Sequence, residues 1–148
     1  LHFGAVLAGV KGKALHTLTD YGLSAGRTFP IIDDKLGIFG NEFESGKSPL
    51  DDIKEGKRTI MMAYAIENSA KSDSYFLESC LGNQHLTNTD FEKCKSIITD
   101  SGALNYAKAE SQKSADIALN IIEKTKYWDK SSRQFLQDLV QYIVVRNS

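Results

Sequence analysis

The chain has 148 residues, of which 41% are hydrophobic and 25% charged, with a formal net charge of −1. Those proportions support a packed core and exclude a disordered, low-complexity chain. The near-neutral balance gives no electrostatic basis for nucleic-acid binding, and the longest apolar run, Ile60 to Ile66, is far short of the ~20 residues a membrane span needs.

Residues 1–10 read as the tail of a buried helix. There is no initiator Met and no signal-peptide pattern, and the chain opens in mid-pattern, so it is expected to be a fragment. Residues 12–39 read as one long helix, with Leu15, Leu18, Leu23, Phe29, Ile32, Leu36 and Phe39 recurring at three-to-four spacing. Gly22, Gly26 and Gly37 fall on roughly one stripe of it. Each costs a helix about 1 kcal/mol relative to alanine, which predicts an offsetting close approach.

Residues 40–55 read as loop. A buried helix is predicted from about Gly56 to Asn68, and a short one over 71–81. Thr89 and Glu92 have capping-box spacing for a helix over 90–100, which Ser101-Gly102 ends. A long amphipathic helix over 103–126 turns Leu104, Ala107, Ala115, Ala118 and Ile122 inward. Ser131 or Ser132 is expected to cap the last helix, whose apolar face is Leu136, Leu139, Val140, Ile143 and Val144. Every element is helical and most connections are short, so the predicted class is an all-α, antiparallel helical bundle. Cys80 and Cys94 read as reduced packing thiols, and His2, His16 and His85 form no zinc pattern.

The chemistry concentrates in residues 29–59. Asp33 and Asp34 are adjacent carboxylates on an otherwise apolar, glycine-rich helix. Neighbouring helical residues diverge by ~100°, so Asp33 is expected to face inward with Asp34 at the flank. Like charges beside an apolar wall call for a cation. Mg²⁺ suits them, because it takes one or two carboxylates and completes its shell with water and phosphate. Lys47 and Lys57 follow, each preceded by glycine, with Lys57 expected at a helix N-terminus where amides favour anions. Carboxylates for magnesium and lysines for phosphate oxygens describe a diphosphate pocket. Taken singly, an Asp-Asp pair is usually a solvated face and a Gly-Lys pair an ordinary turn; the order and spacing of the set favour function. Gly40 to Lys47-Ser48 imitates a P-loop, but it has five residues between its glycines and follows a helix.

The set Tyr21-Gly22, Gly26, Phe29, Ile31, Asp33-Asp34, Leu36, Gly46-Lys47, Asp52-Ile53 and Gly56-Lys57-Arg58-Thr59 resembles the second aspartate-rich region of trans-isoprenyl diphosphate synthases, the polyprenyl synthetase family. The likeness implies the carboxyl-terminal part of one isoprenoid-synthase-type domain spanning 1–148, of the archaeal-like short-chain type. It implies a cytoplasmic, homodimeric parent enzyme that condenses isopentenyl diphosphate with an allylic diphosphate. It also implies that Asp33 and Asp34 hold Mg²⁺, that Lys47 and Lys57 bind phosphate oxygens, and that Asp52 and Phe29 support them. Gly37 stands where the motif has a third aspartate, and Pro30 where it has glutamine. The family's first motif, Asp-Asp-x-x-Asp, is absent, so the fragment alone is expected to be inactive. The alternatives are a non-catalytic helical subunit, an interaction module, and a terpene cyclase, the last disfavoured by the Gly-Lys pattern.

Overall fold

The computed structural model describes residues 1–39 and 49–145. Among the described residues there are eight helices and no strand. They are α1 (His2–Leu7), α2 (Gly12–Phe39), α3 (Pro49–Lys54), α4 (Ile60–Asn68), α5 (Lys71–Cys80), α6 (Asn88–Asp100), α7 (Ala103–Lys124) and α8 (Lys130–Val145). None is long and apolar enough to cross a membrane. The long second helix matches its predicted span; α3 lies within the stretch read as loop.

Local chemistry sets the boundaries. The box that opens α6 is Thr87 with Asp90, not Thr89 with Glu92: the Asp90 carboxylate accepts from the Thr87 amide at 3.1 Å and its hydroxyl at 2.7 Å. Two such spacings overlap in the sequence, and this one starts the helix at Asn88. At α8 the cap is Asp129, whose carboxylate accepts from the Ser132 amide at 3.0 Å and hydroxyl at 2.7 Å, in place of the expected serine oxygens. The helix read from Gly56 begins at Ile60, capped by Thr59, whose hydroxyl accepts from the Met62 amide.

The chain divides into two compact units, Leu1–Ile32 with the described residues from Glu110 onward, and Asp33–Ala109. In the first, α2 buries Leu18, Tyr21, Ala25, Thr28 and Ile32. That three-four alternation is the seam of closely packed helices. Ala115, Ala118 and Ile122 of α7 and Leu136 and Val140 of α8 join the same core. The alanines leave room for Tyr21, whose buried hydroxyl donates to the Leu136 carbonyl at 2.8 Å. Burial without a charge-stabilising partner pushes the Tyr21 hydroxyl up to about 12.

Leu23 and Phe29, expected on the buried face, are 60% and 44% exposed, because the seam runs through Tyr21, Ala25 and Thr28 instead. Pro30 sits inside α2 without ending it. Its missing N–H would have bonded the carbonyl of Gly26. Both residues are exposed, and nothing lies within 4 Å of the side-chain direction at Gly26. That carbonyl can therefore turn to water.

In the second unit, α4, α5 and α6 pack against one another. Met61, Met62 and Ala65 of α4 are fully buried, which accounts for the dense apolar run. Cys80 and Cys94 are free and buried on α5 and α6, and desolvation pushes the Cys94 thiol far up.

Candidate metal and diphosphate site

The last turns of α2 carry Asp33, Asp34 and Gly37. Asp34 is half-buried, one turn before the buried Ile38, while Asp33 is exposed. The inward carboxylate is thus Asp34, the reverse of the expected assignment; the packing of Ile38 fixes the helix phase. The Asp34 carboxyl is pushed up to about 6, first by desolvation and then by the Asp52 charge, with Asp33 adding and Lys57 opposing.

Short α3 supplies the other half of the cluster. Gly56, at φ +73°, reverses the chain after it. The Gly56 amide donates to Ile53 O at 3.0 Å and the Lys57 amide to Asp52 O at 3.0 Å. This is a Schellman closure, and glycine occupies the left-handed position it favours. It folds Lys57 back over Asp52, so the lysine lies past the end of α3 and not in the first turn of α4. Its amide is taken by the Asp52 carbonyl, so its ammonium is the group it can offer an anion.

The Lys57 ammonium contacts Asp52 Oδ1 at 2.5 Å and Glu55 Oε2 at 3.0 Å. The hydrogen bond to Asp52, then that to Glu55, holds the lysine firmly protonated. Its side chain is 43% exposed, so the pairing adds little to fold stability but leaves the cation open to a ligand. Glu55 was not singled out by the sequence; a carboxylate two residues before a lysine in a glycine turn was the available signal.

Gly37 completes the arrangement. A Cβ at that position would lie 2.8 Å from Asp52 Oδ2, too close without a shift. The glycine therefore makes room for the Asp52 carboxylate beside α2. The Asp52 and Asp33 charges both act on Asp34, and Lys57 pairs with Asp52 and Glu55. Among the described residues no three His, Cys, Asp or Glu side chains form a ready-made cage for a metal. Magnesium does not need one, since water and phosphate oxygens make up most of its shell. The half-buried Asp34, crowded by the Asp52 charge, fits such an ion. Phe29 is exposed one helical turn before Asp33. Lys47 lies outside the described residues.

The family model for polyprenyl synthetase matches residues 1–98. The chain belongs to the polyprenyl synthetase family. It is 34% identical over 146 residues to geranylgeranyl diphosphate synthase of Saccharolobus solfataricus, covering 96% of this chain and 44% of that protein. It is 32% identical over 143 residues to geranylfarnesyl diphosphate synthase of Aeropyrum pernix, covering 97% and 44%. The chain thus spans less than half the length of the curated relatives it matches. A solved structure with the same all-helical fold is polyprenyl synthase from Caulobacter crescentus, complexed with calcium and isoprenyl diphosphate. Its TM-score is 0.83 at 32% identity, over 99% of this chain and 44% of that one.

Proposed function

We propose that the chain is the carboxyl-terminal part of a magnesium-dependent trans-prenyltransferase and carries its second aspartate-rich site. In this reading Asp33 and Asp34 hold Mg²⁺, Lys47 and Lys57 bind phosphate oxygens of an allylic diphosphate, and Asp52 orients Lys57. The observation that carries it is the half-buried Asp34, which shares its surroundings with Asp52 and Lys57. The Asp52 and Asp33 charges both disfavour an ionised Asp34, a repulsion that a divalent cation would relieve. Phe29, exposed a turn earlier on α2, offers an apolar surface next to the acidic end of the helix.

The parent enzyme condenses isopentenyl diphosphate with an allylic diphosphate in the cytoplasm as a homodimer. Bound magnesium supplies electrostatic stabilisation of the departing diphosphate. Lys57 adds a fixed positive charge; at ~4 Å from a phosphate oxygen it contributes a few kcal/mol at an effective dielectric near 20. Asp52 and Glu55 keep that ammonium charged and aimed.

With one aspartate-rich region, the 148-residue chain binds magnesium diphosphate weakly and does not turn over. Incubation with allylic and isopentenyl diphosphates and Mg²⁺ tests this, and chain elongation would refute the inactive-alone part. Calorimetric titration with magnesium pyrophosphate tests the site itself. The competing reading is a non-catalytic helical subunit, favoured by Pro30 and Gly37, where the motif has glutamine and aspartate. An active unmodified parent would eliminate it.

A further inference from the structure

The loop between α5 and α6 holds the turn that carries Lys57. The Gly82 amide donates to Ile53 O at 2.9 Å, and the Gln84 side-chain amide donates to Lys54 O at 2.8 Å. Both acceptors are carbonyls at the C-terminal end of α3, which a helix leaves without internal partners. Ile53 O also accepts from Gly56, so the same carbonyl closes the Schellman turn and ties it to the distant loop. The two glycines approach closely: a Cβ on Gly56 would meet the Gly82 Cα and N at 3.6 Å.

The loop has its own anchors. The Asn83 amide donates to Cys80 O at 3.2 Å, the Asn83 carboxamide oxygen accepts from the His85 amide at 2.9 Å, and Leu86 is buried. It is therefore a built support, fixed to α5 at one end and to the core at the other. α3 has six residues, too few to hold its own last turn rigidly. The ammonium of Lys57 is placed through that turn.

We infer that Gln84 is a positioning residue for Lys57. It caps Lys54 O from a rigid loop, fixes the end of α3, and so sets where the ammonium meets an anionic ligand. The inference rests on the proposed diphosphate site and adds a residue of the other loop to it. Gln84 is exposed, so replacing it leaves the core intact.

The test uses Gln84→Met in the 148-residue chain, with three measurements: magnesium pyrophosphate affinity by calorimetry, amide exchange over 53–58 by mass spectrometry, and thermal midpoint. We expect faster exchange in that segment and affinity lower by about 3- to 10-fold, the equivalent of one neutral hydrogen bond, with the midpoint within about 2 °C. Unchanged exchange overturns the inference, as does faster exchange with unchanged affinity. An affinity loss that comes with a midpoint drop above about 5 °C also overturns it, because that marks a general structural role. A wild-type chain that does not bind magnesium pyrophosphate brings down the site reading itself, and this role with it; that result is distinct from binding that Gln84→Met leaves untouched.

Discussion

The Asp52 carboxylate fills the space that a side chain at position 37 would need, with its Oδ2 2.8 Å from where a Cβ on Gly37 would stand. The absence of an acidic side chain on α2 and the approach of one from α3 are two sides of a single arrangement.

Gly37→Ala follows from that contact. Alanine favours the helix by about 1 kcal/mol, so the thermal midpoint should hold or rise slightly. The new methyl pushes Asp52 aside and loosens Lys57. Magnesium pyrophosphate affinity should fall several-fold in a calorimetric titration; an unchanged affinity would show that the Asp52 position is immaterial.

Asp34 gives a pH signature. Its folded-state pKa of about 6 lies above the ordinary 3.8, so the fold favours the protonated carboxyl. That contribution is complete below about pH 4 and is lost as pH rises through about 6. Asp34→Asn, which is neutral throughout, should be more stable than wild type by about 1 kcal/mol at pH 7.5, a figure reduced for solvent screening, and no more stable at pH 4. Denaturant melts at the two pH values measure it in metal-free buffer. Added magnesium pyrophosphate should stabilise wild type and leave the Asn variant unaffected.

Tyr21→Phe removes the hydrogen bond to the Leu136 carbonyl and keeps the ring. A loss of about 1 kcal/mol is expected in urea unfolding with an unchanged m-value. Tyr21→Ala empties a fully buried position and should cost about 3–5 kcal/mol. If both variants lose equally little, the α2–α8 core is looser than its packing indicates.

Pro30→Ala restores the N–H that the Gly26 carbonyl lacks. Because the helix already tolerates the proline on its exposed side, the gain should be about 2–3 kcal/mol, slightly below the usual interior penalty. Differential scanning calorimetry should show a midpoint several degrees higher. A fall would mean that Pro30 makes a contact its exposure does not reveal.

Sequence alone determined the helical class, the full span of α2, and the order of acidic pair, glycine-lysine turn and Gly56-Lys57 that carries the family likeness. These are readable because helical periodicity and turn chemistry act over three or four residues. Choosing between Asp33 and Asp34 was beyond it: adjacent residues differ by ~100°, and the burial of Ile38, one turn after Asp34, marks the inward side. Thr87 and Thr89 posed a similar choice, since both have an acidic residue three positions on. The Gly37–Asp52 notch and the Gln84 support join residues 15 and 30 apart in the chain. No local rule specifies such pairs: the first joins α2 to α3, and the second joins the α5–α6 loop to the end of α3.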